Sequence, residues 1–195
     1  MNIKLKPIFW VLIIIAVLIL AYWAYDSLSE NYEAPEVTTT TQKQPSTYQN
    51  DTTKYYEQAP DATVYNSKGE KVALSSLFTK PVVINFWARW CGPCKSEMPD
   101  FESVYKEKGN DVTFIMVNMT DGFRETQNRA QDFIKNNKIT IPVYFDLDSD
   151  AANKYAVYSI PTTVFLDAKG NIINVHTGLI TKEQLIENID AITKQ

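Results

Sequence analysis

From about residue 59 onward the sequence predicts an α/β fold, a sheet covered by helices on both faces. Apolar, strand-like runs alternate there with helix-competent stretches. One run, Val82-Val83-Ile84-Asn85-Phe86-Trp87, reads as a central strand because it is apolar along its length. The chain then closes with a hairpin signature and a helix that opens on a capping box.

Taken in order, residues 1–7 are a short lead carrying Lys4 and Lys6. Ile8 to Tyr25 is an unbroken run of 18 apolar or aromatic residues. As a helix it reaches roughly 27 Å, close to the hydrocarbon thickness of a bilayer. Tyr22, Trp23 and Tyr25 gather at its far end, where aromatic rings favour the interface. Lysines precede the run, and Asp26, Glu30, Glu33 and Glu36 follow it. The positive-inside rule therefore predicts a single-pass anchor over residues 8–25, with residues 1–7 in the cytoplasm and the rest of the chain outside. A cleaved signal peptide is the competing reading. It usually has a shorter apolar region, and bulky rings here crowd the positions where a small-x-small cleavage site belongs. No cysteine lies near the run, which excludes a lipid-modified anchor.

Residues 26–56 read as a tether. The stretch Thr38-Thr39-Thr40-Thr41-Gln42-Lys43-Gln44-Pro45-Ser46-Thr47 has no apolar period and too little apolar surface to offset the entropy of ordering. A structureless loop of that length inside a compact domain would be unusual.

Residues 57–195 make the folded domain. Val72-Ala73-Leu74 and Val82 to Trp87 are expected strands, followed by a helix from Cys91 to about Lys108 that Pro99 should kink. Val112 to Asn118 is the next strand, Arg124 to Asn137 a helix, Val143 to Asp146 a short strand, and Ala151 to Tyr155 one or two helical turns. Thr162 to Leu166 turns through Asp167-Ala168-Lys169-Gly170-Asn171 into Ile172 to Val175, a hairpin. Thr181 to Ile192 is the last helix, opened by a Thr-x-x-Gln box.

Cys91 and Cys94 are the only cysteines, and three positions apart they can close a small redox ring. They stand where an expected strand meets an expected helix. Unpaired N–H groups and the positive end of the macrodipole at that helix start favour a thiolate on Cys91. A structural zinc site needs about four ligands, and beyond the two cysteines the chain offers a single histidine, His176. An inert disulfide remains the bland alternative, though so small a ring constrains the unfolded chain weakly. The net charge of −4 and the lack of a long basic run give no sign of nucleic-acid binding. No glycine-rich phosphate loop is present, so no nucleotide cofactor is indicated.

The stretch Phe86-Trp87-Ala88-Arg89-Trp90-Cys91-Gly92-Pro93-Cys94-Lys95 resembles the thioredoxin active site, and Ile160-Pro161-Thr162-Thr163 resembles that family's cis-proline loop. Asn85 stands where cytosolic thioredoxins carry a buried aspartate. About one extra strand–helix unit separates Cys94 from Pro161. The domain opens on Ala59-Pro60-Asp61, and its active-site helix continues Glu97-Met98-Pro99. With the expected anchor, these features resemble the membrane-tethered bacterial thiol–disulfide oxidoreductases of the ResA and TlpA type. The resemblance covers residues 57–195. It implies a thioredoxin-like fold with a central mixed sheet flanked by helices and a strand–helix insertion, held at the bacterial cytoplasmic membrane with its catalytic domain on the extracytoplasmic side.

Chemistry then assigns roles. Cys91 is the expected exposed nucleophile, and Cys94, one turn later and buried, resolves the mixed disulfide. Pro93 fixes φ early in the helix. Trp90, Gly92 and Pro93 are expected to border the client, and the resemblance implies that cis-Pro161 offers the backbone of Ile160 for strand-like pairing. An ordinary trans proline is the alternative for Pro161, and Pro142 is expected to be one. Trp87 reads more readily as core than as substrate surface, and His176 as a surface residue. Glu97 lies three positions after Cys94 and about 240° around the helix from Cys91. Either it is a solvated acid near a helix N-terminus, or, as the resemblance implies, it carries the proton of Cys94.

The Gly92-Pro93 dipeptide resembles reducing thioredoxins, so the expected activity is reduction of disulfides in a client protein, by a chain expected to be a monomer. The family implies a separate membrane electron-donor protein and, among its clients, apocytochrome c. The alternative is a thioredoxin-like copper chaperone using Cys91, Cys94 and His176. A peroxidase is disfavoured because no lone cysteine stands in a Thr-x-x-Cys context.

Overall fold

The computed structural model describes residues 5–30 and 58–194, which belong to two separate units. In the first, the helix α1 (Leu5–Glu30) runs five residues past the expected end of the anchor. Its described side chains, Trp10 and residues 13–25, are exposed. Among the described residues no helix is long and apolar enough to cross a membrane. Most of the expected tether lies outside the described residues.

The second unit is built on one sheet. Its strands are β1 (Thr63–Tyr65), β2 (Lys71–Ala73), β3 (Val82–Trp87), β4 (Thr113–Asn118), β5 (Val143–Phe145), β6 (Thr162–Leu166) and β7 (Ile172–Thr177), in the spatial order β2-β1-β5-β4-β3-β6-β7. The central strands β5, β4 and β3 are parallel. β6 joins β3 antiparallel, β7 joins β6 antiparallel, and β1 and β2 form an antiparallel pair at the other edge. The sheet is therefore mixed, as the sequence led us to expect. Between β3 and β4 lies α2 (Gly92–Lys108); α3 (Gln127–Asn136), α4 (Asp150–Lys154) and α5 (Lys182–Thr193) follow in turn.

Strand alternation sorts the core into two layers. Val83 and Trp87 of β3 pack with Met98, Phe101 and Val104 of α2 and with Leu185 and Ile189 of α5. Val82, Ile84 and Phe86 pack on the other face with Val64, Leu74 and Ala151. Full burial of β3 on both sides explains why its sequence reads as a continuous run. Asn85 falls between Val83 and Trp87, so the pleat directs it toward α2. That placement matters for the site.

Three differences from the expected elements have local causes. β1 is only three residues long, with a single fully buried side chain, and offers no period to recognise. Leu74 leaves the expected strand because residues Leu74–Leu77 form a 3-10 turn that buries it. α3 starts at Gln127, not Arg124, because the Thr126 hydroxyl accepts the Arg129 N–H and caps the helix there. Pro99 lies inside α2, which continues without a break to Lys108.

The Thr181 box is present at α5. The Thr181 hydroxyl accepts the Gln184 N–H at 3.3 Å, and the Gln184 side chain accepts the Thr181 N–H at 3.0 Å. Thr181→Ala is expected to lower stability by about 1 kcal/mol. Urea unfolding should show this as a lower midpoint with an unchanged slope.

Candidate active site

Strand β3 ends at Trp87, and a tight turn closed by the Cys91 N–H on the Ala88 carbonyl, at 3.1 Å, delivers the chain to α2. Cys91 is the N-cap of that helix, and its Sγ accepts the Cys94 N–H at 3.1 Å. Cys91 and Cys94 are joined as a disulfide. The helix start thus presents a free N–H to the first sulfur, where a negative charge would be stabilised.

The structure corrects the expectation that Cys91 is exposed. In the disulfide form it is only 5 % accessible, against 0 % for Cys94. The loop before β6 covers it: the Ile160 carbonyl oxygen lies 3.7 Å from Cys91 Sγ. The Ile160–Pro161 peptide is cis and is the only cis peptide among the described residues, so Pro142 is trans. Gly92 and Pro93 are exposed between the two buried sulfurs. Nothing lies within 4 Å of the place a Gly92 Cβ would occupy, so packing does not dictate that glycine. Trp90 is 40 % exposed, and with Met119, Asp121, Arg124, Tyr158 and Ile160 it lines a groove of about 340 Å³. A larger cavity between α2 and α3 touches neither cysteine.

Glu97 is not a solvated helix-face acid. It is 1 % exposed, on the side of α2 that meets the sheet. One carboxylate oxygen accepts from Asn85 Nδ2 at 2.9 Å and the other from the Ile180 N–H at 3.1 Å. Asn85 Nδ2 also donates to Thr163 Oγ1 at 3.1 Å. This polar knot sits within the apolar layer that holds both cysteines. Burial pushes the Glu97 carboxyl up to about 7, against the pull of its two hydrogen bonds. A group poised there exchanges protons readily near neutral pH.

Trp87 is fully buried, in agreement with the core reading. His176 is half-buried on β7, opposite Thr163, with its Nε2 3.1 Å from the Leu179 carbonyl oxygen. No group of three or more histidine, cysteine or acidic side chains among the described residues is arranged to hold a metal.

Sequence reasoning missed a second buried carboxylate. Glu125, 0 % exposed, accepts the Arg89 backbone N–H at 2.6 Å, and its other oxygen lies 3.5 Å from Arg89 Nε. Its neighbour Arg124 stacks on Trp90, with Cζ 4.2 Å from the ring centroid. Read as the first turn of a helix, Arg124 and Glu125 gave no signal; Thr126 as a cap residue was the clue that they lie in a loop.

A disulfide closed at a helix N-terminus, against the carbonyl that precedes a cis-proline, has exchange with another disulfide as its evident chemistry. On this mixed sheet it defines a thioredoxin-like thiol–disulfide oxidoreductase. The model of the AhpC/TSA family matches residues 56–175, and the chain belongs to that family, among its thioredoxin-like members of the ResA type. It is 36 % identical over 134 residues to the thioredoxin-like protein YneN of Bacillus subtilis, covering 69 % of this chain and 78 % of the relative. Identity to the thiol-disulfide oxidoreductase ResA of Bacillus subtilis is 31 % over 135 residues, 69 % of this chain and 73 % of that one. The crystal structure of StoA from Bacillus subtilis is similar with a TM-score of 0.58 and 31 % identity, over 67 % of this chain and 97 % of StoA.

Proposed function

We propose that the chain is a membrane-tethered, extracytoplasmic reductase of protein disulfides. The carrying observation is the Cys91–Cys94 disulfide at the start of α2, with Gly92-Pro93 between the sulfurs as in reducing thioredoxins. In the reduced protein the Cys91 thiolate attacks one sulfur of a client disulfide. A Cys91–client bond forms, and the other client sulfur leaves as a thiolate. Cys94 then attacks the Cys91 sulfur, restoring the Cys91–Cys94 disulfide and releasing the client as a dithiol. Two electrons pass from this cysteine pair to the client. Cys94 must lose its proton for the second step, and Glu97 is the group we assign to take it and return it.

The membrane placement rests on the apolar run of residues 8–25 and the charges that flank it. Residues 26–56 then serve as the tether, and the β4-to-α4 stretch contains the strand–helix unit inserted into the thioredoxin-like fold. Two cysteines leave no internal electron relay, so a membrane electron-donor protein must reduce the spent disulfide. The client class is a cysteine-pair protein, of which apocytochrome c is the one suggested by likeness to ResA-type proteins.

Equilibration of the full chain with glutathione tests the direction of electron flow. A potential near roughly −270 mV is expected, and a value near about −120 mV would overturn the reductase reading in favour of an oxidant.

A further inference from the structure

The chain has three arginines, Arg89, Arg124 and Arg129, and all three bear on the loop Asp121–Thr126 beside the cysteine turn. Arg89 Nη2 donates to the Arg124 carbonyl at 3.1 Å, and Arg129 Nη1 donates to the Phe123 carbonyl at 3.0 Å. Arg124 covers Trp90 and pairs with Asp121 at 3.4 Å. The return contact comes from Glu125, whose carboxylate holds the Arg89 N–H and faces its guanidinium. Each segment therefore binds the other's backbone through a side chain: Glu125 grips Arg89, and Arg89 grips Arg124.

Stability alone gives little reason for this arrangement. Glu125 is wholly buried while the Arg89 side chain is 37 % exposed, and the ion pair lacks hydrogen-bond geometry. Desolvating a carboxylate for such a pair recovers little or nothing. Burial accordingly pushes the Glu125 carboxyl above its ordinary range, with nearby Asp121 adding to the rise and Arg89 opposing it. What the contact does fix is the position of Arg89, two residues before Cys91 and inside the turn whose closing bond belongs to the Cys91 N–H.

We propose that Glu125 is a positioning residue for disulfide exchange, acting through Arg89 on Cys91 and, through the loop that carries Arg124, on Trp90. The proposal rests on the oxidoreductase reading and adds a charge role. Glu125 neutralises a guanidinium that would otherwise favour the Cys91 thiolate. Without that carboxylate charge the thiolate, and hence the reduced protein, is stabilised, and the protein becomes a weaker reductant.

The test compares the full chain with Glu125→Gln and with the double variant Glu125→Gln/Arg89→Gln. Glutamine keeps an oxygen for the Arg89 N–H. In the single variant, alkylation of reduced Cys91 by iodoacetamide should reach half its limiting rate at lower pH. The glutathione equilibrium should shift roughly three- to tenfold toward the dithiol, the scale of one uncompensated charge near a protein surface. In the double variant both should return toward the parent. A purely structural Glu125 would leave the double variant at least as disturbed as the single. That result, or a single variant that alkylates like the parent, overturns the proposal. Should Glu125→Gln fail to fold, Arg89→Gln alone must move the alkylation profile to higher pH, and an unchanged profile overturns it equally. The alkylation profile needs no client, so it stands apart from the outcome for client reduction.

Discussion

Cys94→Ser should hold client proteins on Cys91 as stable mixed disulfides, while Cys91→Ser should hold few or none and lose exchange by a factor on the order of 10³ or more. The asymmetry follows from position. Cys91 caps α2 with its sulfur facing the Cys94 N–H and the Ile160 carbonyl, and exposed Gly92 and Pro93 lie beside it. Cys94 is sealed beneath the turn with 0 % exposure. A client sulfur can meet only the first. Without Cys94 the Cys91–client bond has no internal thiol to break it, so the complex accumulates. Recovery of trapped partners from cells on non-reducing gels, followed by their identification, measures this and names the client. Equal trapping by both variants would overturn the assigned roles.

Glu97→Gln should slow exchange about 10²- to 10⁴-fold, the range for loss of a positioned proton carrier. It should also lower the pKa of an active-site cysteine, because a nearby negative charge is removed. A second consequence concerns stability. The Glu97 carboxyl in the fold sits near 7, above its ordinary 4.5. The folded protein therefore binds this proton more tightly than the unfolded chain. The stabilisation is fully present below the unfolded value and is lost as the pH rises to about 7, by about 3 kcal/mol in all. In Glu97→Gln that loss should be absent. Glu125 and Asp146 are also pushed up by burial and contribute the same sign in both proteins, so the difference between parent and variant isolates Glu97. Denaturant unfolding of the oxidised chain at about pH 5 and about pH 8 provides the measurement. A variant with the parent's turnover and the parent's pH slope would reduce Glu97 to a buried structural acid.

Much of this was legible in the sequence because it obeys local rules. β3 announces itself through its unbroken apolar run, α5 through Thr181 and Gln184, and the redox pair through its spacing. The contact of Glu97 with Asn85 was not legible: it depends on the pleat of β3 and the rotation of α2 meeting across a packed layer. The Arg89–Glu125 contact was hidden for the same reason, since it joins residues 36 apart through loops with no period. The cover over Cys91 comes from a segment 69 residues away, which is why a sulfur at a helix start was expected to be open and proved nearly closed. Local patterning reports elements; the site arises where non-local elements touch.

The entry of the chain into the domain has a directional consequence. Gln58 bridges to Asn171, its side chain donates to the Gly170 carbonyl, and the Ala59 N–H donates to the same oxygen. Gly170 sits at positive φ in the β6–β7 turn, with the Gln58 amide close against it, so a side chain there would be both strained and crowded. The register pairs Leu166, just before that turn, with Val82, whereas Thr162 at the other end of β6 pairs with Phe86 near the cysteines. The incoming strand of chain is thus moored at the opposite pole of the sheet, roughly 20 Å away along β3. Gln58 and Ala59 are fastened at the stern, so none of their contacts falls on the bow, where the cysteine turn lies.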